Sequence, residues 1–333
     1  TYLQALVFQE QADFNATGAG GDGDGAVTVG ARKLQEILRS LPDGVEVSLL
    51  LEDKRLQVRA GKSRFSLQTL PADDFPRMTI AEGETRKLQV TQKAFRQLLG
   101  KTQYAMAAQD VRYYLNGLLL LVEGKELRAV ATDGHRLHLV KKSYPFKEII
   151  VPLEFVNLLL RLKRNGGYQN IRVVCSNTMI FVYAKNLLLY CRLVDDEFPD
   201  YTVAIPQNHT CSATVDKEEL SQIINRVLLM SDKSNHIRCE FRDNSLLVSS
   251  VTPEIGEASE ELEASLNPKD VRHFALGLNG RQVLDVLETL EEDEVTFLMD
   301  GKDSPLTIRE KDSLYLLMPM ALAGEDQEEE NPE

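Results

Sequence analysis

The sequence predicts an α+β protein made of three repeats of one domain, each carrying its helices on one side of antiparallel sheets, in a curved array expected to close head to tail. Three observations predict it. One order of parts recurs along the 333 residues: a strand end, an amphipathic helix, alternating strands and an apolar-proline element. The period is near 125 residues, because Phe75-Pro76 and Phe198-Pro199 lie 123 apart and Val151 and Leu278 lie 127 apart. Opposite charge gathers on segments of the first and third repeats, which favours head-to-tail association. Units that show the same face each time give a curved or ring-like array.

The elements follow in order. The first repeat reads VTVGARKLQEILRSLP, then VEVSLLL and RLQVRA, then RFSLQTLPADDFPRM. The second reads IIVPLEFVNLLLRLKR, IRVVCS, MIFVYA and LLLYCRLVDDEFPDY; the third reads FALGLNGRQVLDVLETL, EVTFLM, PLTIRE and SLYLLMPM. Leu34, Ile37, Leu38 and Leu41 keep the helical period, as do Val283, Val286, Leu287 and Leu290, so each set is expected on one buried stripe. Pro152 suits the first turn of the middle helix, and Asn279 with Gln282 reads as a capping box.

A second helix type precedes two of the repeats. TQKAFRQLLGK begins at Thr91, and DKEELSQIINRVLL begins at Asp216, 125 residues later, with Leu220, Ile223, Ile224 and Val227 on one stripe and Asp216 and Glu219 as its cap. The first repeat lacks this leading helix and has a glycine-rich stretch at 15–25 instead. The expected domains are 1–84, which looks incomplete at its start, 85–208 and 209–322. After them, 323–333 holds six acids and no base and reads as a disordered tail.

Totals exclude several function classes. Hydrophobic residues at 43% and charged residues at 27% are ordinary globular values. No apolar run approaches the ~20 residues of a membrane span and no signal core opens the chain, so a cytoplasmic protein without membrane contact is expected. The four cysteines have neither metal-ligand nor CxxC spacing and read as reduced thiols. A net charge of −13 argues against a chain that coats itself onto phosphate backbones. Positive charge is local: Arg32, Lys33 and Arg39 on the first helix, Lys93, Arg96 and Lys101 on the next, and Arg161, Lys163 and Arg164 at the end of the middle one. Arg55, Arg59, Lys62 and Arg64 line a strand of the first repeat, beside Phe65 and Leu67. Glu254, Glu257, Glu260 and Glu261 crowd the third, with Leu229 and Met230 as its apolar partners. These two sets are the candidate interface between copies.

ATDGHRLHLV, from Ala131 to Val140, first looks like an active site. Strand alternation sends Asp133 and His135 to one side and His138 to the other, which spoils a metal site, and no elbow-type serine is present for a triad. Catalysis is therefore not expected. Asp133 instead suits a turn, as an acceptor for nearby amides.

The residues resemble the bacterial sliding clamp family, the beta subunits of DNA polymerase III. QDVRYYLNG (Gln109 to Gly117), VATDGHRL (Val130 to Leu137), LVDDEFPDY (Leu193 to Tyr201) and YLLMPMAL (Tyr315 to Leu322) carry the resemblance, with RFSLQTLPADDFP in support. It extends from Val27 to Leu322. The resemblance implies a three-domain protomer whose homodimer encircles double-stranded DNA without sequence preference, helices inside and sheets outside. It also implies a processivity factor that tethers DNA polymerase III, is served by a clamp loader, and uses neither cofactor nor metal. Gln109, Tyr113 and Tyr114 join the lining. A pocket for partner peptides is implied at Leu115, Thr132, Gly134, His135, Arg136, Leu137, Pro199 and Val203 of the second domain. Ser234, Asn279, Gln282, Leu316, Leu317, Met318, Pro319, Met320 and Leu322 complete it from the third. A methionine-rich, proline-fixed lip suits an adaptable peptide site. The chain departs from the family pattern at Leu153 and Glu154, at Val203, Ser234 and Gln282, and at Ala321, which bears on fine peptide specificity. The alternative is a clamp-like partner-binding protein that does not encircle DNA because its first domain is short.

Overall fold

The computed structural model describes residues 27–74, 86–123, 126–143, 149–161, 170–184, 187–242, 244–267, 274–301 and 304–322. They fall into two compact units, 27–74 and the remainder. Phe75-Pro76, Lys163, Arg164, the glycine-rich stretch and the acidic tail lie outside the described residues.

The smaller unit holds β1 (Val27–Val29), α1 (Ala31–Ser40), β2 (Val47–Glu52), β3 (Arg55–Ala60) and β4 (Ser63–Pro71). Its antiparallel sheet has the order β1-β4-β3-β2. Asp53 and Lys54, at φ 46° and 62°, make the tight reversal between β2 and β3. β1 pairs only with the Thr69–Pro71 end of β4. Among the described residues, the Ser63–Gln68 part of β4 thus bonds on one side alone, to β3. The α1 stripe is not fully buried as expected: Leu34, Ile37 and Leu41 are half-buried and Leu38 is 44% exposed. Among the described residues of this unit, one helix and one sheet supply no second layer to cover it.

The larger unit begins with β5 (Arg86–Thr91), α2 (Gln92–Thr102), β6 (Gly117–Glu123), β7 (Glu126–Thr132), β8 (Arg136–Ser143), β9 (Ile149–Pro152) and α3 (Leu153–Arg161). β10 (Asn170–Cys175), β11 (Met179–Ala184) and β12 (Leu187–Arg192) complete the same pattern of parts. The next set is β13 (Cys211–Asp216), α4 (Lys217–Val227), β14 (His236–Arg242), β15 (Ser245–Thr252), β16 (Gly256–Glu263), β17 (Ser265–Asn267) and β18 (Phe274–Asn279). It closes with α5 (Gly280–Thr289), β19 (Glu294–Met299), β20 (Leu306–Glu310) and β21 (Ser313–Leu317).

Helix starts are set by side chains that accept from otherwise unpaired amides. Thr91 Oγ1 accepts from the Ala94 amide at 3.2 Å, and Asp216 Oδ1 from that of Glu219 at 2.8 Å. Asn279 Oδ1 accepts from Arg281 and Gln282 at 3.0 and 3.2 Å. The apolar stripes of α4 and α5 are buried as their spacing predicts. Pro152 ends β9 immediately before α3.

One nine-stranded sheet joins the two sets, in the order β17-β13-β19-β20-β21-β8-β7-β6-β9. Its seam is the antiparallel pair β21 and β8, with Leu314 opposite Leu139 and Leu316 opposite Leu137. Alternation gives this sheet two apolar faces. On one, Val140 of β8 belongs to the core around α2 and α3, and Tyr315 and Leu317 of β21 to the core around α4 and α5. The other carries Leu137, Leu139, Leu314 and Leu316 under Phe198. Four-stranded sheets β12-β11-β10-β5 and β16-β15-β14-β18 complete the two sets. Cys175 and Cys239 are buried and Cys191 and Cys211 half-buried, all as free thiols. Burial raises the Cys239 thiol to about 12. No described helix is long and apolar enough to cross a membrane.

Candidate functional site

The turn from β7 to β8 is tied together by its own side chains. Gly134 has φ +93°, a conformation that glycine adopts without strain. Asp133 Oδ1 accepts from the His135 and Arg136 amides at 2.9 and 3.1 Å, and its Oδ2 accepts from Arg136 Nε at 2.9 Å. Thr132 Oγ1 accepts from the Gly134 amide and donates to the Arg136 carbonyl. Arg136 also pairs with Asp285 of α5 and stands 5.1 Å from the Tyr104 ring centre. The Thr132 hydroxyl and the Nε and Nη1 of Arg136 are thus occupied in holding the turn and the seam. His138 is fully buried, stacked 3.8 Å from Tyr315, and burial lowers its pKa to about 3. It and Asp133 form no acid–base pair. Among the described residues no group of His, Cys, Asp and Glu is placed to hold a metal.

Beyond β21 the chain leaves the sheet and bridges both sets. The Met318 amide donates to the His135 carbonyl at 2.9 Å, and the Met320 amide to the Gly277 carbonyl at 2.8 Å. A Cβ at Gly277 would collide with the Met320 carbonyl oxygen, so only glycine admits this crossing over β18. Met318 is 40% exposed, while Pro319, Met320 and Leu322 are half-buried. Asn279 Nδ2 donates to the Ser234 carbonyl, and the Gly280 amide to that of Asn235, which fastens that loop to the start of α5 beside Gln282. Across the seam Pro199 and Val203 are exposed, Val203 at 83%. Leu137 and Leu316 share the apolar face under Phe198. Leu317 does not: β21 alternation turns it to the opposite face, into the core of α4 and α5, which corrects its grouping with Leu316. Leu115 is buried at 2% exposure.

Sequence reasoning missed four residues here. Arg112 packs against Gly134 and grips Asp110 through Nε and Nη2 at 3.0 and 2.9 Å, and that hydrogen bonding lowers Asp110 to about 2. Tyr104 and Asp285 meet Arg136 from separate helical segments, and no local pattern announces them. Gly277 did leave a signal, a lone glycine inside the strand FALGLN.

The candidate lining residues differ in availability. Lys93, Arg39 and Arg161 are exposed, Arg96 is half-buried, and Arg32 and Lys33 both pair with Glu36. Lys101 is not a lining base: it is 20% exposed and bonds Glu291 at 3.0 Å and Glu310 at 3.4 Å across the seam. Burial opposes its charge, but the Glu291 hydrogen bond and the fields of Tyr315 and Glu310 raise its pKa nonetheless. Gln109 is exposed with φ 62°, Tyr113 is 61% exposed, and Tyr114 packs beside the Leu137–Leu316 cluster. Among the interface candidates, Arg55, Lys62 and Arg64 are exposed, Arg59 reaches Glu52, and Phe65 and Leu67 are half-buried on β4. Leu229 is 76% exposed beside Met230, with Val251 and Ile255 also exposed. Glu254, Glu257 and Glu261 are exposed, and Glu260 pairs with Arg226.

Comparison with known proteins covers nearly the whole chain. The N-terminal, central and C-terminal domains of the DNA polymerase III beta subunit match residues 6–79, 89–200 and 202–321. The beta sliding clamps of Vibrio cholerae serotype O1 and Escherichia coli strain K12 are each 37% identical over 306 residues, 90% of this chain and 82% of theirs. The crystal structure of the DNA polymerase III subunit beta from Pseudomonas aeruginosa superposes with a TM-score of 0.83 at 35% identity, covering 90% of this chain and 84% of that one. The DNA polymerase sliding clamp from Caulobacter crescentus gives 0.84 at 31% identity, covering 90% and 83%. With all three domains matched in order and relatives above a third identical over nine-tenths of its length, the chain belongs to the DNA polymerase III beta subunit family, the beta sliding clamps.

Proposed function

We propose that this chain is a DNA sliding clamp that encircles duplex DNA as a homodimer and tethers DNA polymerase III as a processivity factor, placed by a clamp loader. The observation that carries this reading is the nine-stranded sheet, which joins two of the repeated domains into one surface with the helices packed on one face. An encircling protein needs weak, mobile contacts to phosphates; a net charge of −13 with bases gathered on particular helices suits that need. The protein works in the cytoplasm without a catalytic step, cofactor or metal, and its domains extend over about 1–84, 85–208 and 209–322.

The ring closes through the open edge of β4, with Arg64, Phe65 and Leu67, and the outer edge of β16, with Glu257 and Glu261. Among the described residues each of these edges has unpaired backbone groups, and their charges are opposite. Leu229 and Met230 supply the apolar centre. Partner peptides dock between the Met318–Leu322 segment and the Thr132–Leu137 turn, with Pro199 and Val203 as the far wall. No observation favours a relative that leaves DNA unencircled.

The test is topological. Protein loaded onto nicked circular DNA by a bacterial clamp loader comes off when the circle is linearised, because it slides from the ends. Retention on the linear form means contact binding and overturns the reading.

A further inference from the structure

We infer that a second cavity, separate from the groove beside Met318, docks an acidic stretch of a partner polypeptide. The cavity encloses about 330 Å³ and opens where β8 meets the turn between β20 and β21. Arg128 of β7, Lys141 of β8, Arg309 of β20 and Lys311 of the following turn all line it. No run in the sequence unites these four bases. The pairing of β21 with β8 does, and the Lys141 amide donates to the Asp312 carbonyl at 2.9 Å, which holds the turn in place.

Two acids line the same cavity, and only one opposes the bases. Glu310 turns its carboxylate to the other face of the sheet, where it meets Lys101 and accepts from the Glu291 and Glu292 amides at 2.6 and 3.1 Å. Asp312 is exposed at the turn. Arg128 is steered by the Tyr201 hydroxyl at 3.4 Å and by Glu126 at 3.6 Å. The result is a local positive concavity on a protein of net charge −13, which selects for an anion against the background field.

The walls say which anion. Leu139 and Leu314 form an apolar floor, and both belong to the sheet face opposite the one that carries the helices. An extended glutamate-rich segment lays its methylenes on that floor and its carboxylates against the bases. A phosphate backbone has no matching apolar surface, and any DNA held along the helix face lies on the other side of the sheet. None of the groove residues named above lines this cavity, so its occupancy is measured independently of the clamp reading.

The probe is fluorescein-labelled hexaglutamate, titrated by anisotropy at low salt against the full chain. Saturable binding is expected, weakened by about tenfold or more in the triple variant K141Q/R309Q/K311Q and weakened by salt. If that variant loses its circular dichroism spectrum, Arg309→Gln alone is the comparison. The double variant R192Q/R281Q, which removes two exposed bases outside the cavity, is expected to bind as the parent does. Equal affinity in the triple variant, or no saturable binding, overturns the proposal. Binding that emerges only after deletion of residues 324–333 overturns it in favour of the chain's own acidic segment. Tighter binding of an oligonucleotide through the same three bases overturns it in favour of nucleic acid.

Discussion

His138 occupies the seam between β8 and β21, fully buried and flanked by Tyr104 and Tyr315, where a charged imidazole would lose its hydration. Its ordinary pKa of 6.5 falls to about 3 in the fold because of burial. Between those values the unfolded chain binds the proton and the folded one does not, so stability present above pH 6.5 is lost as pH falls towards 3. The expected loss is about 1 kcal/mol per pH unit from this residue. His138→Phe keeps a ring against Tyr315 and removes the titration. Urea unfolding followed from neutral to acid pH is expected to show a shallower fall for the variant, and parallel curves sink the assignment. At this scale the sequence was ambiguous: DGHRLH offers the same residue types whether His138 faces solvent or core, and only the register of β8 against β21 decides it.

The segment after β21 shows how one element makes a site from two domains. Its amides at Met318 and Met320 bond carbonyls of the central and C-terminal sets respectively. Met318→Ala is expected to weaken an apolar partner peptide by about 1 to 2 kcal/mol through lost contact. Gly277→Ala is expected to weaken it at least as much without touching the peptide, because its Cβ would push the Met320 backbone off β18. Calorimetric titration measures both; unchanged affinity in Gly277→Ala would show that this crossing does not shape the lip. Helix periods, caps and the proline-fixed exit were legible in the sequence because each is a local signal. The separation of Leu316 from Leu317 was legible in principle, by alternation, once MPM was taken as the end of a strand.

The whole molecule pairs an acidic body with opposite charges on two exposed edges. Leu229→Asp places a charge within the exposed apolar patch beside β16 and is expected to shift the solution mass from dimer to monomer in light scattering, while leaving the fold of the protomer intact. A dimeric mass for the variant would move the interface elsewhere. The repeat near 125 residues made the three-domain architecture legible, since equal spacing of helices and closing motifs is a long-range signal that needs no contacts. The Lys101 ion pairs with Glu291 and Glu310 were not legible, because residues so far apart in the chain carry no shared pattern.

By itself, the sequence determined the repeat, the helices and their caps, and the reversal at Gly134. These follow from periodicity, turn chemistry and residue type, all properties of neighbours along the chain. Only the tertiary structure decided which side chains remain available to a partner. Arg136 and Lys101 are basic in composition but are held by carboxylates across the seam, whereas Lys141, Arg309 and Lys311, unremarked as a group in the sequence, line one cavity because β21 pairs with β8. Charge is written in the chain, but its availability is set by which strands pair and which acids that pairing brings within reach.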